Sequence, residues 1–243
     1  MTGPDFVVKE TARTMAGSLR TSDLRAIRSK LMAQGLVLLP GDTCYRLGSY
    51  AAYEESVEVL SSILSVKYSD IHLTAPNFES AIKWIDDSNF AATSLLEQLT
   101  PGPITVFCAP SSFAQDNSPS IRRLAADNSG KVGFRIPDSS IERDIASTNE
   151  HYLIASAPIL HTETGEQIVE FQEALTNVEA QISRYGRAGW GAVEGRVCWS
   201  GPTSVVGVES TGAIHLLSEG VVPLEQIEAC ARLMPSTSFD DWG

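Results

Sequence analysis

The chain changes between a helical and an extended hydrophobic pattern along most of its length. Residues 22–34, SDLRAIRSKLMAQ, place four apolar side chains at helical spacing, with Ser22 suited to cap the start and Gly35 to end the helix. The next segment, LVLLP at 36–40, is a short continuous apolar run, which is typical of a buried strand. The pattern therefore predicts a helix followed by a core strand.

The same alternation continues to the C-terminal end. Further helices are predicted at 53–65, 77–87, 88–99, 118–128, 139–148, 166–184 and 223–234. Further strands are predicted at 71–75, 102–110, 131–138, 152–158, 203–211 and 213–220, the last two as a pair. Mixed helices and strands predict the α/β class. We divide the chain into a loose arm (1–21), one domain (22–222) and a C-terminal helix and tail (223–243).

Composition and charge narrow the range of partners. The 243 residues, 43% hydrophobic and 20% charged, suffice for one sizeable core. The formal net charge of −12 disfavours direct binding to the phosphate backbone of a nucleic acid. The chain has no run of eighteen apolar residues, and its first twenty residues lack the apolar core of a secretory signal. We therefore predict a cytoplasmic protein without a membrane partner.

Cysteine and histidine spacing indicates no metal site. The residues concerned are Cys44, Cys108, Cys198, Cys230, His72, His151, His161 and His215. They form no CxxC pair and show no ligand spacing, so neither a disulfide framework nor a zinc site is expected. We predict free thiols, and no metal bound through a protein motif.

Several apolar strands end in small polar segments. These are PGDT at 40, TPGPIT at 100, RIPD at 135, ASAP at 155 and GPTSVV at 201. In an open α/β sheet, ligands bind where strands release their loops, and hydroxyl and backbone N–H groups there suit anions. The same residue types also dominate ordinary turns, so one such loop alone indicates little. Five of them in one chain favour a binding site.

In their order, these segments resemble the YrdC-like domain of threonylcarbamoyl-AMP synthases. That family typically shows PTDTVYGL, Lys-x-Arg, PGP-x-T, Arg-x-Pro, Ser-Ala-Asn and Ser-Thr-Val-Val-Asp. This chain has PGDTCYRL, Lys67-Tyr-Ser, PGPIT, RIPD, SAP and TSVVG. The resemblance covers about residues 22 to 222. It implies a YrdC-like twisted mixed sheet flanked by helices, in the single-domain form of the family.

The resemblance also implies an activity. Such an enzyme joins bicarbonate and L-threonine into a carbamate, then transfers AMP from ATP, normally with Mg²⁺, and releases pyrophosphate. It is a nucleotidyltransferase whose product, threonylcarbamoyl-AMP, serves tRNA modification. The chemistry consists mainly of positioning and of neutralising phosphate charge.

By the same resemblance, particular residues acquire roles. Catalytic roles fall to Lys67 and Arg135. Substrate contacts fall to Asp42, Thr43, Tyr45, Arg46 and Ser156. Nucleotide and phosphate contacts fall to Lys67, Arg135, Ser156, Thr203 and Ser204. For Lys67 and Arg135, the alternative is a surface cation at the end of an element.

The chain departs from the family pattern at six motif positions. These carry Gly41, Arg46, Ser69, Pro158, Gly207 and Ser218 in place of Thr, Gly, Arg, Asn, Asp and Arg, the last in a final Arg-x-Gly motif of the family that reads SEG here. A charge-assisted contact to phosphate is worth about 1.5–3 kcal/mol, so the two lost arginines weaken the case for ATP.

Two alternatives stay open. One is a repurposed enzyme on the same fold, which acts on a different small amino or carboxylic acid with ATP use altered or lost. The other is a non-catalytic nucleotide- or partner-binding module. The sequence does not decide which amino or carboxylic acid is the substrate, or whether the protein forms a homodimer.

Overall fold

The computed structural model describes residues 3–9, 19–149, 152–185 and 189–232. Within these residues the strands are β1 (Phe6–Val8), β2 (Leu36–Pro40), β3 (Tyr45–Tyr50), β4 (His72–Thr74), β5 (Ile104–Cys108), β6 (Val132–Arg135), β7 (Ile154–Pro158), β8 (Trp190–Val193), β9 (Ser204–Val208) and β10 (Ile214–Ser218). The helices are α1 (Thr21–Met32), α2 (Glu54–Leu64), α3 (Phe78–Ala81), α4 (Phe90–Leu99), α5 (Ser112–Asn117), α6 (Pro119–Asp127), α7 (Ser140–Ala146), α8 (Phe171–Tyr185) and α9 (Leu224–Ala231).

The strands form one mixed sheet in the order β1-β8-β2-β3-β7-β4-β6-β5-β9-β10. Four neighbouring pairs are parallel, namely β1 with β8, β8 with β2, β4 with β6, and β5 with β9. The remaining pairs are antiparallel. The predicted fold class, a mixed sheet flanked by helices, is confirmed.

The two faces of the sheet are covered unequally. On one face, α2, α4, α6 and α8 pack against alternate strand residues such as Leu47, Leu73 and Val106 to form the main core. On the other face, α1 and α7 bury a smaller apolar cluster that includes Leu39 and Ile154. This smaller cluster draws no residue from β4, β6, β5 or β9, so that part of the second face is available for a site.

Three strands and one helix are elements that the sequence pattern does not predict, namely β1, β3, β8 and α5. The segment of β3, YRLGSY, contains a cation and a glycine, and β8, WGAV, has only four residues. Neither shows the alternation of a half-buried strand. Pairing with neighbouring strands on both sides stabilises them in the sheet.

The N-terminal arm and the C-terminal helix both contact the central domain. Residues Phe6–Val8 of the predicted loose arm form β1, which pairs with β8 at the edge of the sheet. The hydroxyl of Ser94 on α4 donates to the carbonyl oxygen of Cys230 on α9, at 2.8 Å. The predicted flexible tail at 235–243 lies outside the described residues, as do residues 10–18 of the arm. Of the helices described, none has the length and apolar character that a bilayer crossing requires.

Candidate functional site

A cavity of about 920 Å³ lies against the part of the second sheet face that α1 and α7 leave uncovered. Its floor is made by strand residues of that face, namely His72, Phe107, Pro158, Val205 and Leu217. Successive residues of a strand point to opposite faces, so the adjacent Leu73, Val106 and Val206 pack into the main core. We refer to this cavity as the cleft.

The tight turn between β2 and β3 brings the PGDT segment to the edge of the cleft. The Gly41 N–H donates to the carbonyl oxygen of Cys44 at 2.9 Å. A Cβ atom at Gly41 would lie only 2.6 Å from that oxygen, so the turn closes without a side chain there. The next hydroxyl, that of Thr43, lines the cleft and is 3.0 Å from the hydroxyl of Thr203. Two predicted phosphate or substrate contacts thus meet at one wall.

A row of buried charged groups lies behind this turn. Arg135, whose side chain has no exposed surface, pairs through Nη2 with Asp42 and, at 3.4 Å, with Glu142. The Thr74 hydroxyl donates to the other oxygen of Glu142 at 2.9 Å. Burial opposes the charge of Arg135, but the two carboxylates raise its pKa above the ordinary value. Burial also raises the pKa of Glu142, in opposition to the nearby arginines. The row holds a cation inside the protein by direct pairing.

Arg46, the large residue at a glycine position of the family motif, is part of the same buried region. Its Nε donates to the Ser156 hydroxyl at 2.9 Å, and its Nη2 donates to the Ser156 carbonyl oxygen at 2.8 Å. Burial and the neighbouring Arg135 lower the pKa of Arg46 to about 10. Arg46 therefore keeps its charge at neutral pH and uses two of its donors on β7.

His72 is the histidine of β4 that faces the cleft. Its Nδ1 is 3.3 Å from the Thr105 hydroxyl, and its ring meets the Phe107 ring edge-on at a centroid distance of 5.5 Å. Burial, together with the charges of Arg46 and Arg135, lowers the pKa of His72 well below its usual value. The cleft floor thus presents a neutral imidazole at pH 7.

The shifted pKa of His72 predicts an acid-side loss of stability. Between the folded-state pKa and the unfolded value of about 6.5, the unfolded chain binds one more proton. The free energy of unfolding therefore rises with pH in this window, by up to about 1.4 kcal/mol per pH unit, and falls as the pH drops below about 6.5. In urea titrations from pH 5 to 7, His72→Gln should flatten this slope. His215→Gln, at an exposed histidine, should retain it. Equal slopes in wild type and His72→Gln would contradict the prediction.

The structure brings most of the predicted site residues together, but most of them are buried behind the cleft and do not line it. Around the turn and the charged row lie Asp42, Thr43, Arg46, Arg135, Ser156 and Thr203. Of these, Thr43 lines the cleft. Arg135 is fully buried and pairs with both carboxylates through Nη2, while its Nε and Nη1 have no hydrogen-bond partner among the described residues, so its phosphate and catalytic roles stay predictions. Ser156 likewise already accepts a hydrogen bond from Arg46.

Three further predicted residues lie away from the cleft lining. The Tyr45 ring packs on Phe171 in the main core, and its hydroxyl bonds to the backbone of Gly195. Ser204 is buried and exchanges hydrogen bonds with the backbone of Val222. Neither residue lines the cleft, and their ligand contacts stay predictions. Lys67 is exposed at the rim, between the cleft residues Val66 and Ser69. Its phosphate role stays a prediction.

Sequence reasoning missed the cleft floor and one member of the charged row. His72 and Phe107 precede or follow core residues in their strands, and that alternation is the only signal that places them on a common face. Glu142 lies in a polar helical segment, SSIERDIAST, where a carboxylate is normally solvated. Its burial depends on Arg135 and Thr74, which are distant in sequence.

The cleft is poor in positive charge. Among the described residues that line it there is no lysine or arginine, while Asp70 and Glu166 contribute carboxylates. Arg46 and Arg135 do not line it, and protein groups hold them through Nε and Nη2 of Arg46 and through Nη2 of Arg135. Also among the described residues, no group of three or more His, Cys, Asp or Glu side chains is arranged to hold a metal ion. The arrangement suits a small molecule held by hydroxyl, imidazole and apolar contacts.

Comparison with solved structures identifies the fold. The protein superposes on Pyrococcus abyssi Sua5 complexed with L-threonine with a TM-score of 0.72 and 18% identity, over 94% of this chain and 61% of that one. It matches Escherichia coli YciO with a TM-score of 0.67 and 17% identity, over 92% of this chain and 99% of that one. Full-length HypF in the phosphate- and nucleotide-bound form matches with a TM-score of 0.58 and 14% identity, over 83% of this chain and 29% of that one.

At these identities the structural likeness establishes the fold, and the chain spans about three fifths of the P. abyssi Sua5 chain. No curated protein sequence matches the chain significantly. A family model does match it over residues 29–216, most of its length, and the description of that model is "Telomere recombination". The chain belongs to the Sua5/YciO/YrdC family.

Proposed function

We propose that this protein is an enzyme of the threonylcarbamoyladenylate synthase kind. It would join bicarbonate and an amino acid, L-threonine in the first instance, and transfer AMP from ATP to the resulting carbamate. The observation that carries the proposal is the meeting of motif segments at one cleft, where the hydroxyls of Thr43 and Thr203 lie 3.0 Å apart. Family membership and the L-threonine complex of P. abyssi Sua5 support it.

The size and lining of the cleft agree with a small-molecule reaction. About 920 Å³ falls within the range of 300–1,000 Å³ that is usual for ligand cavities. The apolar floor, with Phe107, Val205 and Leu217, would exclude water from a bound adenylate. The hydroxyls of Thr43 and Thr203 would donate to phosphate or carboxylate oxygens. Mg²⁺ would enter with the phosphates, because the described residues offer it no ligand cluster.

Charge neutralisation is the demanding part of this proposal. A triphosphate needs cations, and Lys67 at the rim is the motif residue best placed to supply one. Its flexible stem would fold over the mouth of the cleft and bring the ammonium to the phosphates. The protein would act in the cytoplasm as predicted. A partner protein would then modify tRNA with the threonylcarbamoyl group and release AMP. We assign this step to a partner because the net charge of −12 disfavours direct binding of nucleic acid by this chain.

A second candidate is favoured by the absence of Lys and Arg among the described lining residues. It is a repurposed enzyme on the same fold, which acts on a different small amino or carboxylic acid with ATP use altered or lost. In this case Arg46 and Arg135 would serve the structure alone, as their bonds to Ser156, Asp42 and Glu142 suggest. The cleft would then bind no nucleotide.

Pyrophosphate release distinguishes the two candidates. The purified protein is incubated with ATP, Mg²⁺ and bicarbonate, with L-threonine and then a panel of other amino acids, and mass spectrometry detects any AMP adduct. Reactions without bicarbonate and with denatured protein are the controls. A threonine-dependent adduct supports the first candidate. An adduct with another acid alone, or a bound acid without pyrophosphate, supports the second. Nucleotide binding without any turnover would instead identify a non-catalytic module.

A further inference from the structure

His72 occupies a central place in the cleft that no predicted role covers. It projects from β4 between two paired strands, opposite Ser156 of β7 and Gly133 of β6. Its imidazole lines the cavity together with Phe107 and Val205, which are apolar. The other titratable lining residues, Asp70 and Glu166, are exposed. His72 is thus the titratable side chain of the floor.

The surroundings of His72 occupy one of its nitrogens and oppose protonation of its ring. Nδ1 is within hydrogen-bond distance of the Thr105 hydroxyl, at 3.3 Å, which leaves Nε2 as the nitrogen that can serve a ligand. The charged groups that act on the ring are Arg46 on β3 and Arg135 on β6, and both oppose its protonation. When Nδ1–H donates to Thr105, Nε2 carries the free electron pair.

We propose that His72 is a catalytic residue that moves the proton of the attacking amine, with Thr105 as the positioning residue that holds its tautomer. The inference rests on the proposed function, because it assigns a group to the carbamate-forming step. The cavity, the Thr105 contact and the apolar floor carry it. The nitrogen that has added to the carbon carries a positive charge and is acidic, so an imidazole whose protonation is opposed can still take its proton and then returns it readily.

In the proposed step, an amine and bicarbonate form a carbamate on the cleft floor. The electron pair of the free amine attacks the carbon of bicarbonate, a C–N bond forms, and the C=O pair moves to oxygen. Nε2 of His72 takes the proton from the attacking nitrogen. The C–OH bond then breaks as the oxygen pair re-forms C=O, and the departing hydroxide takes the same proton and leaves as water. Amine and bicarbonate thus give carbamate and water, and His72 returns to its neutral form.

The first test needs no substrate. Two-bond ¹H–¹⁵N correlation spectra of the full chain, labelled with ¹⁵N-histidine, report the charge and tautomer of each imidazole. The His72→Gln variant assigns the His72 signals. From pH 6 to 8 we expect a neutral ring with its proton on Nδ1, and we expect Thr105→Val to shift the tautomer balance. A protonated ring, or an electron pair on Nδ1, would overturn the proposal.

The second test measures the reaction. His72→Gln should lower kcat for pyrophosphate release more than tenfold, leave the KM for ATP within about twofold, and remove the acid limb of the pH–rate profile. His161→Gln, at a histidine outside the cleft lining, should match the wild type. Unchanged kcat in His72→Gln would overturn this inference while the proposed function stands. A wild type without turnover would overturn the proposed function and with it the catalytic role, whatever the spectra show.

Discussion

Replacing Arg135 with methionine should lower the free energy of unfolding by about 3–5 kcal/mol, the cost of removing one partner from a buried ion pair. Methionine keeps most of the side-chain volume, so the loss reports the charge and not a cavity. Without the guanidinium, the carboxyl groups of Asp42 and Glu142 stay buried without their cation. Urea unfolding followed by circular dichroism at pH 7 measures the change.

A matched control and a rescue make this prediction specific. Arg122→Met, at an exposed arginine of α6, should change the free energy of unfolding by less than about 0.5 kcal/mol. Adding Asp42→Asn and Glu142→Gln to Arg135→Met should recover part of the stability, because the unpaired carboxylates are then gone. A loss below about 1 kcal/mol in the single variant would show that the charged row is not held as described.

The Lys67→Ala variant should raise the KM for ATP by about tenfold to a hundredfold if the cleft uses ATP. A charge-assisted contact to phosphate is worth about 1.5–3 kcal/mol, and each 1.4 kcal/mol corresponds to a factor of ten. The effect is expected to be large because the described cleft lining includes neither lysine nor arginine that could also neutralise the phosphate charge. Pyrophosphate release at varied ATP measures it.

Stability and a distant lysine serve as controls for this experiment. Lys67 is exposed, so Lys67→Ala should unfold at the same urea concentration as the wild type. Lys83→Ala, at another exposed lysine away from the cleft, should leave the KM unchanged. An unaltered KM for ATP in Lys67→Ala, with turnover intact, would mean that another group neutralises the phosphates. The role proposed for Lys67 would then be wrong.

The local pattern of the chain suffices to predict the fold class and the turn that forms one wall of the cleft. Apolar runs such as 36–40 and 104–108 predict strands because a segment buried on both faces needs no polar alternation. The turn at 40–43 is predicted by residue types that tolerate a tight reversal. The order of the motifs adds the family. All of these signals are read from residues that are neighbours in sequence.

Only the tertiary structure decided whether the charged residues Arg135 and Arg46 are exposed or are buried and paired. Arg135 is a surface cation or a phosphate ligand on sequence grounds, and it becomes a buried ion pair through Asp42, 93 residues away. Arg46 could enter the cleft, but Ser156 on a paired strand holds it. Burying a charged side chain costs free energy of desolvation, and interaction with paired groups offsets that cost. Only the assembled sheet brings those paired groups together, so the sequence alone does not show whether a charge is free or paired.

The same reason separates what the sequence determined from what it left open. By itself it determined the α/β class, the main helices and strands, and three of the five strand-end segments, at 40, 155 and 201, as contributors to the cleft lining. The edge strand β1, the inner strands β3 and β8, and the cleft-facing position of His72 were decided by pairing across the sheet. A strand with weak local preference forms when its neighbours satisfy its backbone, and a side chain reaches a cleft when its strand's register places it on the open face.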